Sequence, residues 1–422
     1  MSDSPQQQST SGRAAILTAA FLGWLTAGAV MGLGPLAARP ALRDLLPGDG
    51  RVAAPWGQTD EGTIGTWFAW YLCVFLLGGA VGGLAFGRLG DRQGRVRALG
   101  LSILCFSVFT GAGWLARTPG QLLVLRFLAS LGIGGTWPAG VALLSEAWPE
   151  ASRPSVAGVM GSAANIGILL MALLGQWLSI TPDSWRWTML VGAAPLLLGV
   201  WVLLQVPESP RWLAQRFAAS KKERGPLTEV FRPPLLSRTM LGILLGTIPL
   251  IGTWASGKWM IPWANARGAD AAQTQAIWAV GAVLGSAAGG WLASRLGRRV
   301  TYFLVSLAAL LVNLAIYRLL DPLHRAFLPA VFLLGLVATV FFGWLPLYLP
   351  ELFPTRVRAT GTGVAYNFGR IVSALGVLGA GSLMAWFQGD YARVGEVTAW
   401  VYGLGTIVIL FAPDTSKSVL RD

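Results

Sequence analysis

Twelve long apolar stretches, most of them joined by short polar connections, constrain the fold of this chain more than any other feature of its sequence. A helix needs about 20 mostly apolar residues to cross the hydrocarbon core of a bilayer. Charged residues make up 12% of the 422 residues and hydrophobic residues 54%, which leaves too little polar surface for a soluble protein of this size. The sequence therefore predicts an all-α polytopic membrane protein with twelve transmembrane helices, at residues 14–36, 64–86, 98–116, 121–146, 155–179, 188–206, 239–262, 273–293, 301–319, 326–349, 357–386 and 396–412.

The positive charge is distributed unevenly between the two sides of this predicted bundle. The formal net charge is +13, which could indicate a nucleic-acid partner. Most Lys and Arg residues, however, lie in the connections on the side of the two termini, as the positive-inside rule requires. The sequence therefore predicts a multi-pass protein of the plasma (inner) membrane with both termini in the cytoplasm, and no nucleic-acid partner.

Two pairs of matching segments indicate an internal duplication. The turn "GRLGDRQGRVR" (87–97) matches "GGWLASRLGRR" (289–299), and "EAWPEASR" (146–153) matches "ELFPTRVR" (351–358). Internal repeats of this kind are typical of secondary transporters, which bind their solute between the repeats. The pattern predicts two pseudo-symmetric six-helix halves, 14–206 and 239–412. A cytoplasmic linker at 207–238 joins them, after a disordered cytoplasmic tail at 1–13 and before a cytoplasmic tail at 413–422.

Several of these segments resemble known motifs. The turn Gly87-x3-Asp91-Arg92-x-Gly94-Arg95 resembles the conserved loop of the major facilitator superfamily, and Arg126 before "GIGG" (132–135) is similar to its fourth-helix motif. "PESPRWL" (207–213), "SWRW" (184–187) and "PDTSK" (413–417) resemble motifs of its sugar-porter and metabolite (organic acid) transporter branch. The resemblance implies the twelve-helix fold and solute transport by alternating access.

The charged connections suggest a gate on the side of the termini. Arginines can pair with glutamates at fixed spacing, and an aspartate at a turn can cap a neighbouring helix. The alternative is that these charges only set topology, and Ser294 in place of Asp91 predicts a weaker second copy. The predicted gating network comprises Gly87, Asp91, Arg92, Gly94, Arg95, Glu146, Arg153, Glu208, Arg211, Arg295, Arg298, Glu351 and Arg358.

Three cations lie inside the predicted helices: Arg126, Lys258 and Arg370. Ionisable residues within a membrane are costly and mark functional sites, and no Asp or Glu lies at a comparable depth. The solute itself is therefore expected to supply the negative charge, with Arg370 the strongest candidate. Lys258 could instead extend to the outer interface, and Arg126 could serve coupling or structure. The other predicted substrate contacts are Asn165, Tyr366, Asn367, Thr253, Trp254, Trp24, Trp137 and Trp344.

These features predict a secondary active or facilitative transporter of a small organic anion, a carboxylate or a sugar acid. A neutral sugar transporter, with or without proton coupling, is the alternative. Sugar porters carry a glutamine pair and an asparagine where this chain has Thr253, Trp254 and Trp259, which weakens that alternative. A non-transporting solute sensor is a minor alternative.

The side chains of this sequence show no arrangement that is typical of an enzyme. The sequence offers no nucleophile–base pair, and its two cysteines and one histidine form no metal-binding pattern. We expect no catalytic residue, metal or cofactor. The expected partners are the solute, the lipid bilayer and a coupling proton or counter-ion, and we expect a monomer.

Overall fold

The computed structural model describes residues 10–46, 60–147, 153–209, 212–213, 227–354 and 357–415. Twelve helices in this part of the chain are long and apolar enough to cross a membrane, so the predicted number is confirmed. Most of the two predicted tails and the middle of the predicted linker lie outside the described residues. The helices are α1 Ser11–Leu45, α2 Glu61–Gln93, α3 Arg95–Leu115, α4 Pro119–Ala147, α5 Gly158–Trp177, α6 Trp187–Gln205, α7 Leu235–Ala266, α8 Ala271–Leu296, α9 Arg298–Leu319, α10 Phe327–Glu351, α11 Thr360–Trp386 and α12 Tyr391–Phe411.

The first helix is longer than its apolar stretch. The sequence predicts an end at residue 36, whereas α1 continues to Leu45 through Pro35 and Pro40. Proline is tolerated within membrane helices because neighbouring groups satisfy the freed backbone atoms. The additional turns carry Arg39 and Arg43, and both pair with Glu61 at the start of α2. This compensation of charge explains why the helix extends beyond the apolar run.

The same helix pairs recur in the two halves, which confirms the predicted pseudo-symmetry. Helix α2 packs along α4 in the first half as α8 packs along α10 in the second. A methyl group placed on Gly82 would lie 1.9 Å from the carbonyl oxygen of Leu131, and one on Gly285 would lie 1.9 Å from that of Leu336. Only glycine permits so close an approach, so the duplication extends to individual backbone contacts.

The halves meet mainly through α2 against α11 and α5 against α8. We define the terminal face as the side of the bundle where α1 begins and α12 ends, and the distal face as the opposite side. The α2–α11 contact runs from Gly65 against Met384, near the distal face, to Gly83, whose added methyl group would lie 2.9 Å from Asn367 Oδ1. A methyl group on Gly87 or Gly363, one turn closer to the terminal face, would have no described neighbour within 4 Å. Helices α2 and α11 therefore separate towards the terminal face, whereas α5 and α8 stay close, since a methyl group on Gly158 would lie 3.3 Å from the carbonyl oxygen of Ala287.

Candidate functional site

Helix α7 loses its regular α-helical geometry in the membrane. Its α-helical part ends at Ile251, a π-helical segment covers Gly252–Ser256, a 3-10 turn covers Gly257–Trp259, and the α-helix resumes at Met260. Such irregular backbone is tolerated at membrane depth only where protein or a cavity surrounds it. Transporters commonly place discontinuous helices at their binding sites. The irregular segment is therefore the first structural indication of a solute site.

Lys258 lies within this irregular segment and points into the protein. Its side chain is only 2% exposed, so it does not extend to the outer interface. The Nζ atom lies 3.2 Å from the centroid of the Trp278 ring on α8. This nitrogen has no hydrogen-bond acceptor among the described residues. The terminal nitrogen of Lys258 is thus covered by an aromatic face and has no carboxylate partner in the described part of the chain.

Arg126 is a second buried cation, supplied by the other half. It is 4% exposed, and its guanidinium lies 4.9 Å from the ring centroids of both Tyr71 and Phe75 on α2. One nitrogen, Nη1, donates to the carbonyl oxygen of Val30 at 3.2 Å, while Nε and Nη2 have no acceptor among the described residues. Two of its donor atoms are therefore buried without an acceptor in the described part of the chain.

An aromatic contact joins the surroundings of Arg126 to the irregular segment of α7 across the interface between the halves. The Phe75 ring, against Arg126, lies 4.7 Å from the ring of Trp254, which precedes Lys258 in the irregular part of α7. Trp254 is buried, and its contact with Phe75 joins α7 to α2. The surroundings of Arg126 thus meet the irregular segment that carries Lys258, and we call the rings of Tyr71, Phe75, Trp254 and Trp278 the aromatic region.

Helix α1 borders the same region. The Gln275 side-chain amide donates to the carbonyl oxygen of Gly32 at 3.0 Å. Gln275 lies three residues before Trp278, on the same side of α8. The bonded carbonyls of Val30 and Gly32 are two residues apart on α1, so Arg126 and the α8 side chains approach α1 at the same depth.

Arg370 occupies a different position, where the contact between the halves ends. Its Nη1 atom donates to the carbonyl oxygen of Gly79 at 2.7 Å, and the guanidinium lies 4.8 Å from the Tyr366 ring centroid. Asn367, one turn closer to the terminal face, donates to Gly363 at 2.9 Å, and its Oδ1 has no partner among the described residues. Arg370 is half-buried, so it lies between the enclosed aromatic region and the open gap.

The remaining predicted contacts fall into two groups. Asn165 is buried and donates across the halves to Ser286 Oγ at 3.1 Å, and the Trp24 and Trp137 rings pair at 5.0 Å within the first half. Thr253 lies buried in the π-helical segment. Trp344 lies apart from the other predicted contacts: its indole donates to the carbonyl oxygen of Arg298 at 2.9 Å, near the terminal face, where it supports the α8–α9 turn.

A polar cluster at the distal face bonds the two halves to each other. Arg39 of α1 donates both to Glu61 of α2 and to Asn265 Oδ1 of α7. Tyr391 of α12 donates to Glu61 Oε2 at 3.1 Å, and Arg43 pairs with Glu61 at 2.7 Å. No sequence pattern described above assigns these residues to a site. The spacing of Arg39 and Arg43, four apart and therefore on one helix face, is the signal that could have indicated them.

At the terminal face, the predicted charges of the first half form a network within that half. Arg95 Nη1 lies 2.6 Å from Asp91 Oδ1, and Arg95 Nε lies 3.3 Å from Glu146 Oε1. Glu208 accepts from the backbone amides of Arg95 at 2.9 Å and Val96 at 3.2 Å. A carboxylate at a helix N-terminus is favourable there, so Glu208 caps α3.

The second half repeats this network. Arg298 donates to Glu351 through Nη2 at 2.8 Å and Nε at 3.2 Å. The Ser209 hydroxyl donates to Glu146 in the first half, and the Thr415 hydroxyl donates to Glu351 in the second. Ser294 donates to its own helix at Gly290, so it does not replace the Asp91 contact.

The other members of the predicted gate make fewer described contacts. Gly94, between α2 and α3, has φ 119°, a conformation that favours glycine. Arg92 and Arg295 are exposed at the ends of α2 and α8. Arg358 donates through Nε to the carbonyl oxygen of Phe353 at 3.4 Å. Arg211 and the side chain of Arg153 lie outside the described residues.

Known proteins share both the sequence features and the fold. A sequence profile of the Major Facilitator Superfamily matches residues 14–377. The chain is 32% identical over 370 residues to a Cupriavidus pinatubonensis protein named "Probable 4-methylmuconolactone transporter", an alignment that covers 85% of this chain and 83% of that protein. It is 32% identical over 311 residues to the cis,cis-muconate transport protein of Acinetobacter baylyi, with coverage of 71% and 74%.

Solved structures agree with this assignment. The crystal structure of a D-xylose–proton symporter superposes with a TM-score of 0.74 at 18% identity and covers 96% of this chain and 99% of that one. A likeness at that identity shows the fold. The chain belongs to the major facilitator superfamily, and it is a membrane transporter rather than an enzyme.

Proposed function

We propose that this transporter carries a small organic anion, a carboxylate or a sugar acid, by alternating access. Lys258 and Arg126 bind the carboxylate in the aromatic region between the halves, and Arg370 contacts the anion at the inner end of the terminal gap. Trp254 and Phe75 provide apolar faces for the carbon skeleton of the solute.

One observation carries this proposal: the two halves each place a buried cation in the same region, and neither cation has a carboxylate partner among the described residues. A buried charge without a partner is costly, and an anionic solute removes that cost. Guanidinium also matches the planar geometry of a carboxylate. The relatives named for muconate and methylmuconolactone transport are consistent with such a solute.

We further place the terminal face in the cytoplasm and the chain in the plasma (inner) membrane. The surplus of Lys and Arg in the connections at the terminal face supports this orientation. The gap at Gly87 and Gly363 then opens to the cytoplasm. The distal cluster of Arg39, Glu61 and Asn265 closes the opposite path.

The networks around Glu146 and Glu351 are proposed to act as the gate of the terminal face. In this conformation the bonds described above link groups of one half. Closing the terminal face would bring the exposed charges of the two networks together, for example Arg92 with the second half. For every residue of the predicted gating network, the gating role stays a prediction.

A neutral sugar is the second candidate solute. The "PES" segment resembles the sugar-porter signature, and its Glu208 and Ser209 form well-defined bonds. Those bonds cap α3 and hold Glu146 at the terminal face, far from the aromatic region. They therefore stabilise the fold for any solute, which is why we favour the anion.

The test is exchange transport in liposomes that contain the purified protein. Vesicles are loaded with cis,cis-muconate or D-xylose, and the entry of the same labelled solute is measured. We expect rapid muconate exchange and slow xylose exchange. Lys258→Met and Arg126→Gln should each reduce muconate exchange at least about tenfold, which corresponds to about 1.4 kcal/mol.

A matched control uses Arg318→Gln. Arg318 is 53% exposed and pairs with Glu396 on the distal side, so its loss should leave exchange nearly unchanged. Exchange of xylose with no exchange of carboxylates would contradict the proposal. Arg370→Gln should weaken exchange less than Lys258→Met, because Arg370 already has a backbone acceptor.

A further inference from the structure

Lys258 and Arg126 differ in how the empty site accommodates their charge. Arg126 has a backbone acceptor at Val30 and two aromatic rings. Lys258 has one ring and no acceptor among the described residues. Arginine stays charged in proteins, whereas lysine can release its proton when it is buried. Lys258 is therefore the cation that can become neutral when the site is empty.

The ionisable groups around Lys258 offer no alternative counter-ion. Tyr317 of α9 donates its hydroxyl to the carbonyl oxygen of Ser256 at 2.6 Å, so it directs no negative charge at Lys258. Tyr391 of α12 is bonded to Glu61 at the distal face, and Glu61 is already paired with Arg39.

We infer that Lys258 binds one proton each time the carrier binds its anion, and releases that proton with the anion on the other side. This inference rests on the proposed anion site. In the empty carrier Lys258 is a neutral amine. When the anion enters, the nitrogen lone pair forms an N–H bond with a proton from water, and the resulting ammonium donates to the carboxylate. On release the N–H bond breaks and the proton returns to water.

The charge moved in each cycle then depends on the solute. A monocarboxylate and one proton carry no net charge together, so the membrane potential has no effect on their net transport. A dicarboxylate and one proton carry one net negative charge, so the potential does affect their transport. Arg126 keeps the same charge in both states and does not alter this balance. Neutral sugars would recruit no proton to Lys258.

The experiment is titration calorimetry of the purified protein with cis,cis-muconate in two buffers of different ionisation enthalpy. The difference between the two heats gives the number of protons bound with the anion. We expect about one proton per anion for the unaltered protein near pH 8, with the affinity falling up to tenfold for each further pH unit. Lys258→Arg, which keeps a fixed positive charge, should bind muconate with less than about 0.2 proton.

A second readout uses liposomes that contain a pH-sensitive dye. Solute entry should acidify the lumen by about one proton per solute in the unaltered protein, and this ratio should disappear in Lys258→Arg. For 4-methylmuconolactone, a monocarboxylate, an imposed membrane potential should leave the entry rate unchanged. For cis,cis-muconate an interior-negative potential should slow entry.

The possible failures are distinguishable. If the unaltered protein binds no carboxylate, the proposed function is wrong and the proton inference falls with it. If it binds muconate without proton uptake between pH 6 and pH 9, only the inference about Lys258 is overturned. Proton uptake that persists in Lys258→Arg would also overturn it. Should that variant fail to fold, the pH dependence of the unaltered protein still decides.

Discussion

The distal and terminal faces hold their charged side chains in different ways. At the distal face, Arg39 of the first half bonds to Asn265 of the second, and Tyr391 of the second half bonds to Glu61 of the first. At the terminal face, the pairs of Arg95 with Glu146 and of Arg298 with Glu351 each lie within one half.

The difference shows what each set of charges can do in this conformation. The distal bonds break only when the halves separate there, so they bias the protein towards the state open at the terminal face. The terminal pairs remain intact while that gap is open, so they stabilise each half separately. Changing a distal residue should therefore alter which face is open, and changing a terminal pair should alter the stability of one half.

The largest effect is expected for Glu351→Gln at the terminal face. The side chains of Glu351 and Arg298 are 7% and 15% exposed, and breaking a buried pair by removing one partner leaves an uncompensated charge. Loss of the pair should lower the free energy of unfolding by about 2–4 kcal/mol, measured by thermal unfolding in detergent. Glu396→Gln, in the exposed pair with Arg318, should cost at most about 1 kcal/mol.

Glu61→Gln at the distal face should shift the conformational equilibrium. It removes the counter-ion of buried Arg39 and should favour the state open at the distal face by about 1–3 kcal/mol. The measurement is maleimide labelling of a cysteine at Ala69, which packs against Gly381 near that face. Asp44→Asn is the control, because Asp44 pairs with Arg186 within the first half. Equal labelling in both variants would contradict the proposal that the distal cluster keeps the distal face closed.

Tyr391→Phe should produce a smaller shift in the same direction. It removes one hydrogen bond to Glu61 and leaves the ion pairs in place, so a change of about 1 kcal/mol, or about fivefold in labelling, is expected. Tyr302→Phe is the matched control, since that hydroxyl donates to Leu245 inside the second half. A shift as large with Tyr302→Phe would show that the cross-half bond has no special role.

The smallest effect is expected for Asp91→Asn. Asp91 is 37% exposed and pairs with Arg95 four residues away on the chain, and Arg95 keeps its contact with Glu146. The free energy of unfolding should fall by about 0.3–0.5 kcal/mol, and labelling of a cysteine at Gly363 should change less than about twofold, because the pair lies within one half. A tenfold change would show that Asp91 bonds across the halves in the other state.

The sequence predicts the fold well because apolar length and internal repetition are properties of the chain itself. The twelve helices and the equivalence of Glu146 and Glu351 need no knowledge of tertiary structure. The end of α1 could not be predicted in this way. It depends on Arg39 meeting Glu61, which lies 22 residues away and follows a polar connection.

The candidate site is only partly predictable. Cations inside apolar stretches identify Arg126, Lys258 and Arg370 from sequence alone. Their different surroundings depend on contacts between helices: Arg370 bonds to Gly79 of the other half, whereas Lys258 is covered by Trp278. The displacement of Trp344 from the site also arises from packing, because its indole bonds to Arg298.

One measurement tests most directly whether the buried cations bind the anion and whether anion binding closes the terminal face. A cysteine at Gly363, on a background without Cys73 and Cys105, is labelled from the terminal side with and without saturating cis,cis-muconate. We expect muconate to slow labelling several-fold, D-xylose to leave it unchanged, and Lys258→Met to abolish the protection. Equal protection by xylose, or protection by muconate that survives Lys258→Met, would contradict this expectation.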